Sequence, residues 1–141
     1  MSKTILFPVD INNAEAAVRP LAEALAMLGT EGVLHVVTVL PSLGFSQITN
    51  FFPKGYEKAH MAEVGKLLVK WVDAHVPDEV EVHPHVLHGA IYDEILRAAN
   101  KLAVDVIVMG AHRPELSDYL LGPNAARVVR HARQSVYVVR S

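Results

Sequence analysis

The sequence contains no cysteine among its 141 residues, which excludes disulfide bonds, thiolate metal sites and thiol catalysis. Neither sign of charge dominates, since 13 lysine and arginine residues stand against 15 aspartate and glutamate residues. The composition therefore gives no electrostatic reason to expect a nucleic-acid partner. No apolar run approaches the roughly 20 residues of a membrane span. No charged-then-apolar signal region follows Met1. We expect a cytoplasmic protein without membrane insertion.

Familiar phosphate-binding and catalytic motifs are also missing. There is no Gly-x4-Gly-Lys-[Ser/Thr] loop, and Asp10 follows the first apolar run where a dinucleotide-binding protein has Gly-x-Gly-x2-Gly. A nucleophile elbow and a carboxylate pair of defined spacing are absent as well. These absences argue against a dinucleotide dehydrogenase. We expect no catalytic residues and at most a weak ATPase.

The residues that are present predict one globular α/β domain over residues 1–141. Hydrophobic residues make up 51% of the chain and charged residues only 20%. Apolar runs predict strands over residues 4–9, 33–40, 79–87, 104–109 and 136–139, and apolar residues at helical spacing lie between them. The first helix is expected to begin after an asparagine cap before Ala14 and to end at Gly29. Alternating strands and helices predict a three-layer α/β/α fold with a parallel, doubly wound sheet.

One predicted loop, residues 42–54, is unusually long and carries Phe45, Phe51 and Phe52. Aromatic residues are uncommon in a solvated loop. The pattern favours a hydrophobic patch folded onto the core or a subunit contact. A lid over a ligand crevice is the alternative.

The most informative stretch runs over residues 104–129. A buried strand ends at Gly110, a loop follows, and Gly122 precedes a predicted helix over residues 125–131. The glycines allow a close approach of the backbone, and a helix N-terminus directs N–H groups at an anion. The arrangement indicates a phosphate-binding site after the fourth strand.

This stretch is similar to the signature of the universal stress protein family, which reads Gly-x2-Gly-x9-Gly-[Ser/Thr] after the fourth strand. Residues 5–10, 34–37 and 135–139 also resemble the family at the expected places. There are two departures from the signature. Arg113 replaces the second glycine, with the spacing one residue short, and Pro123 replaces the serine or threonine. The loop resembles a bacterial branch that reads Gly-x-His-x-Pro and then Leu-Gly-Ser, in which nucleotide binding is still expected.

The resemblance implies a Rossmann-like sheet of five strands in the order 3-2-1-4-5. It places the reversal of strand order, where such sheets bind ligands, between the first and fourth strands. It also implies a stress-response or regulatory module that forms a homodimer through the last strand, residues 136–139, and acts on a protein partner that the sequence does not identify. The expected ligand is ATP, with AMP or ADP as alternatives, and Mg²⁺ accompanies the phosphates.

The resemblance also implies a role for each residue that matches the family pattern. Residues beside the adenosine come from the first two strands, and Val36 reads the adenine edge through its backbone. The end of the fourth strand lies beneath the ribose and the phosphates. The loop flanks the phosphates, and the N-terminus of the last helix faces them. The implied nucleotide-binding residues are Pro8, Asp10, Val36, Met109, Gly110, His112, Arg113, Gly122, Pro123 and Asn124.

Three of these positions have alternative interpretations. Asp10 is as much a helix cap as a ligand contact. Arg113 supplies a guanidinium that can donate two hydrogen bonds to a phosphate, or it is a solvated loop charge. Pro123 suits the first position of a helix but has neither the hydroxyl nor the N–H of serine, so it predicts weakened nucleotide binding. Two alternative functions follow: an interaction module that does not need nucleotide, and a slow ATP-hydrolysing enzyme.

Three histidines, His83, His85 and His88, form a His-x-His-x2-His pattern. On a strand the first two share one face and the third lies at the strand end. Glu81 is the one acidic residue near them that could serve as a ligand. We interpret them as exposed histidines on an edge strand and predict no metal site.

Overall fold

The computed structural model describes residues 2–41, 56–111 and 123–140. Within them, a 3-10 helix spans Ile11–Ala17. The predicted loop over residues 42–54, with its three phenylalanines, lies outside the described residues. The strands are β1 (Thr4–Pro8), β2 (Val33–Leu40), β3 (Glu81–His88), β4 (Val106–Gly110) and β5 (Ser135–Val139). The α-helices are α1 (Val18–Leu28), α2 (Tyr56–His75), α3 (Ile91–Lys101) and α4 (Pro123–His131).

The five strands form one sheet in the order β3-β2-β1-β4-β5, and every neighbouring pair is parallel. This confirms the predicted fold class and strand order. The continuous apolar runs explain why β1 and β4 lie inside the sheet, because a parallel strand covered on both faces needs apolar side chains throughout. Pro84 lies in β3, an edge strand, where a missing backbone N–H is tolerated.

Two clusters of buried side chains cover the two faces of the sheet. One joins β1 and β2 to α1 and α2, and in it the ring of Phe7 stacks on that of Trp71 with 6.4 Å between centroids. The other joins the opposite face to α3 and α4 through residues such as Ile95 and Val128. The helices therefore lie on both faces of the sheet. No helix within the described residues is both long and apolar enough to cross a membrane.

The prediction for the start of the first helix is wrong. The α-helix begins at Val18, and the preceding residues form the 3-10 segment with a kink at Asn13 (φ −137°, ψ 49°). Pro20 accounts for the late start. A proline fits the first turn of an α-helix, but in a helix beginning near Ala14 it would lack a hydrogen bond and clash with the carbonyl four residues earlier. The predicted end is confirmed, since Gly29 follows the helix with φ +70°.

Candidate functional site

A cavity of about 580 Å³ opens at the carboxyl ends of β1, β2 and β4. It spans the point where strand order reverses, because β2 and β4 lie on opposite sides of β1. Pockets of roughly 300–1,000 Å³ are typical of small-molecule sites, and open parallel sheets bind ligands at this point. Five of the ten predicted nucleotide-binding residues line the cavity: Pro8, Asp10, Met109, Gly110 and Asn124.

Asp10 caps the 3-10 segment that forms one wall of the cavity. Its Oδ1 accepts the N–H of Asn12 at 3.0 Å, and its carbonyl accepts the N–H of Asn13 at 2.9 Å. The capping interpretation is therefore correct. Because Asp10 is exposed and also lines the cavity, a ligand contact by the same residue is compatible with the cap.

Gly110 brings β4 and α1 close together at the floor of the cavity. A Cβ atom at this position would lie 3.0 Å from Cγ of Pro20, tighter than an ordinary contact. Gly110 does not have a positive φ, which among the described glycines is found at Gly29 and Gly89. The glycine is therefore needed for the close approach and not for an unusual backbone conformation. Met109 precedes it with only 6% of its surface exposed, so the floor is apolar.

The wall formed by β2 contains residues that the sequence-based prediction did not name. Val36, predicted to read the adenine edge, is fully buried in the core and is not among the residues that line the cavity. The cavity is lined instead by the residues that follow it: Val37, Thr38, Val39, Leu40 and Pro41. Family resemblance points to a single position on this strand and did not single out the later ones.

The N-terminus of α4 forms the opposite wall. Pro123 is the first residue of the helix, and Asn124 and Ala125 line the cavity. The first turn contains no acidic residue, so no carboxylate of the helix's own first turn opposes an anion at its positive end. His112, Arg113 and Gly122, which were predicted to complete this side, lie outside the described residues.

Helix α3 contributes two wall residues, Ile91 and Ile95, that the sequence reasoning did not assign to the site. Tyr92 lies between them in sequence. The guanidinium of Arg127 lies over the ring of Tyr92, 4.7 Å from the ring centroid. This cation–π contact joins the first turn of α3 to α4. It fixes the helix that faces the cavity against its neighbour.

Three imidazoles form a separate group on β2 and β3. His35 and His83 are register partners, with ring centroids 5.3 Å apart, and the centroid of His85 lies 5.1 Å from that of His35. Nε2 of His83 lies 2.8 Å from a carboxylate oxygen of Glu81. Burial lowers the pKa of both His35 and His85, and neighbouring histidines lower these pKa values further.

The histidine group does not converge on a metal position. Across the three described ranges, no set of three or more His, Cys, Asp or Glu side chains is placed to hold a metal ion. The sequence reasoning missed His35 because strand register, which pairs it with His83, cannot be deduced from the sequence of one strand.

A second cavity, of about 570 Å³, lies between α2 and the edge strand β3. It is lined by residues from the middle of the helix and by Pro84 and Val86. It lies away from the carboxyl ends of the central strands. We therefore assign the candidate site to the cavity at the strand ends, where backbone groups and a helix N-terminus also converge.

Comparison with known proteins gives a consistent result. Residues 1–140 match the model of the Universal stress protein family. Universal stress protein G of Escherichia coli O157:H7 is 33% identical over 142 residues, which cover 99% of this chain and 100% of that protein. Universal stress protein G of Salmonella typhimurium is 32% identical with the same coverage.

Solved structures share the fold. The hypothetical protein MJ0577 superposes with a TM-score of 0.82 at 24% identity, covering 100% of this chain and 97% of that one. A universal stress protein in complex with cAMP superposes with a TM-score of 0.66 at 18% identity, covering 99% and 97%. At these identities the structures bear on the fold of this chain alone.

Proposed function

Because the chain belongs to the universal stress protein family, we propose that it binds an adenine nucleotide, with ATP favoured over ADP and AMP, and acts in the cytoplasm as a stress-response or regulatory module. The observation that carries this proposal is the cavity at the ends of β1, β2 and β4 with the N-terminus of α4 in its wall. A related fold in complex with cAMP supports an adenine ligand.

The two sides of the cavity suit the two ends of a nucleotide. The β2 side offers Val37, Val39 and Leu40, which suit an apolar base and sugar face. The α4 side offers backbone N–H groups at the positive end of a helix, which suit phosphate. Mg²⁺ would accompany the phosphates and keep most of its water ligands. Among the described residues, the side chains lining the cavity do not form a carboxylate cage for it.

A homodimer through β5 is part of the same proposal. β5 is an edge strand of the sheet, and Tyr137 in it is 39% exposed although aromatic. A second copy paired along residues 136–139 would cover the unpaired backbone of this edge. A regulatory protein partner is expected in addition.

Two alternatives remain open to test. Pro123 at the first position of α4 offers no backbone N–H to phosphate, which favours an interaction module that works without nucleotide. A slow ATPase is the other alternative. An assay of phosphate release from ATP distinguishes it, since turnover that vanishes in Asp10→Ala or Arg113→Ala would favour the enzyme.

A cavity-blocking substitution tests the proposed function directly. Ala16 lines the cavity, whereas Ala22 is exposed on α1 and does not. We expect ATP to bind the stripped wild-type protein and the Ala22→Phe control in a calorimetric titration, and to bind Ala16→Phe at least about tenfold more weakly. Equal binding by Ala16→Phe would place the ligand elsewhere, and no binding by the wild type would contradict the proposal.

A further inference from the structure

Thr38 is the one polar side chain that is buried among the described residues, with 3% of its surface exposed. It lies near the carboxyl end of β2 and lines the cavity at the strand ends. Its neighbours along the strand, Val37 and Val39, are apolar. A hydroxyl in this setting requires a specific explanation.

The position of Thr38 follows from strand register. Pro8, the last residue of β1, pairs with Val37, and the carbonyl of Val37 accepts the N–H of Val9 at 2.8 Å. Thr38 is thus the first residue of β2 beyond its pairing with β1. On its other side it pairs with Val86 of β3. The neighbouring strand has ended, and the cavity opens at this point.

The side chain lies on the sheet face covered by α1 and α2. Side chains alternate along a strand, so Thr38 shares a face with Leu34 and Val36, which belong to that cluster. Phe7, Val9 and Ala17 of the same cluster also line the cavity. Thr38 is therefore the polar member of an apolar part of the cavity wall.

Folding alone does not account for a threonine at this position. Valine has the same shape and β-branching, suits a strand equally well and buries no hydroxyl. Thr38 Oγ1 is not one of the fully enclosed side-chain atoms that lack a partner, and it belongs to a residue of the cavity wall. A hydroxyl in such an apolar wall is favourable only where it finds a hydrogen-bond partner. None of the side-chain hydrogen bonds found among the described residues involves Thr38. A ligand in the cavity would supply the partner.

The orientation of the ligand follows from the opposite wall. In the proposed function the phosphates of the nucleotide lie at the N-terminus of α4, beside Asn124 in the cavity wall, and the base would then extend toward β2. We infer that the Thr38 hydroxyl hydrogen-bonds the polar edge of the nucleotide base and contributes to recognition of the ligand. This inference rests on the proposed function and adds a recognition residue to the same site.

The test compares two substitutions at Thr38 with one at an exposed threonine. Thr38→Val keeps the shape and removes the hydroxyl, whereas Thr38→Ser keeps the hydroxyl. Thr30→Val is the control, since Thr30 is exposed in the turn before β2. ATP and AMP are titrated into each stripped protein, and thermal unfolding of each variant is recorded.

We expect Thr38→Val to bind both ATP and AMP about tenfold more weakly, because one buried hydrogen bond is lost. The factor should be the same for both ligands, since they share the base. Thr38→Ser and Thr30→Val should retain most of the affinity, and Thr38→Val should unfold at no lower temperature than the wild type.

Four outcomes would overturn the inference. Unchanged affinity in Thr38→Val would show that the hydroxyl does not contact the ligand. A loss confined to ATP would place Thr38 at the phosphates. A lowered unfolding temperature would indicate a structural hydroxyl. Absence of ATP binding by the wild type would overturn the proposed function together with this inference, whereas the first three outcomes leave the proposed function intact.

Discussion

Nδ1 of His35 lies 2.9 Å from Nε2 of His85, so one imidazole donates an N–H to the other across the β2–β3 pair. At this distance the two facing nitrogens cannot both carry protons, so the arrangement disfavours protonation of both rings. Burial is the main cause that lowers the pKa of each ring. His85 and His83 lower the pKa of His35 further while Glu81 opposes them, and His83 lowers the pKa of His85 further. The edge of the sheet therefore contains a proton-sensitive contact.

This contact predicts that stability falls as the solution is acidified. The folded pKa of each ring lies below the ordinary histidine value of 6.5, so in the pH window between the two values the unfolded chain binds more protons. The contribution to stability is fully present above pH 6.5 and is lost as pH falls toward the lower, folded pKa values. Denaturant unfolding of the wild type between about pH 7.5 and about pH 5.5 measures it.

Two glutamine variants show which histidines are responsible. We expect His35→Gln to lose stability less steeply with acidification than the wild type. The exposed His131, at the end of α4, provides the control, and His131→Gln should keep the wild-type slope. An identical pH dependence in wild type and His35→Gln would contradict this explanation.

The cap at Asp10 predicts a difference between two substitutions. Asp10→Ala removes the acceptor of the Asn12 N–H and should lower the free energy of unfolding by about 1 kcal/mol. Asp10→Asn keeps a capping oxygen and should lower the free energy of unfolding by only a few tenths of the amount expected for Asp10→Ala. Chemical denaturation measures both. If Asp10→Ala is as stable as the wild type, the cap contributes nothing.

Two glycines should respond in opposite directions to alanine. In Gly110→Ala the new Cβ would lie 3.0 Å from Pro20, so α1 must shift and the free energy of unfolding should fall by about 1 kcal/mol or more. In Gly65→Ala, within α2, the nearest atom is Val86 Cγ2 at 3.7 Å, an ordinary contact. Helix propensity should then stabilise the protein by about 1 kcal/mol. Unfolding curves that show equal effects would contradict the contact between Gly110 and Pro20.

Pro123 should weaken nucleotide binding without harming the fold. Pro123→Ser adds a hydroxyl and a backbone N–H at the start of α4, so we expect ATP affinity to rise by roughly ten- to a hundredfold. Pro123→Ala restores the N–H alone, so its ATP affinity should lie between those of the wild type and Pro123→Ser. Calorimetric titration of stripped protein gives the ratios, and tighter binding by the wild type than by Pro123→Ser would refute the prediction.

Much of the fold could be predicted from local patterns because buried parallel strands read as apolar runs. The runs before Asp10 and Gly110 identified β1 and β4, and Gly29 marked the end of α1. Their order in the sheet came from family resemblance, since apolar runs do not specify which strands pair. The predicted start of α1 was wrong because it relied on the asparagine cap before Ala14 and did not consider that Pro20 restricts where the helix can begin.

The candidate site was predictable only in part. Met109 and Gly110 were named from family resemblance, and they line the cavity because a parallel sheet brings the ends of its strands together. Thr38 was not found, since a lone threonine in an apolar strand carries no motif and its role depends on where β1 stops. The pairing of His35 with His85 was also missed, because it depends on register between two strands that lie about 50 positions apart.

Nucleotide binding at the strand ends is tested most sharply by identifying the nucleotide that co-purifies with the protein. The protein is denatured and the supernatant is separated on a nucleotide column, for the wild type, Pro123→Ser and Ala16→Phe. We predict an adenine nucleotide from the wild type, a larger amount from Pro123→Ser and none from Ala16→Phe. A nucleotide from Pro123→Ser alone would mark the natural chain as an interaction module with impaired binding. No nucleotide from either the wild type or Pro123→Ser would contradict the assignment of the cavity as a nucleotide site.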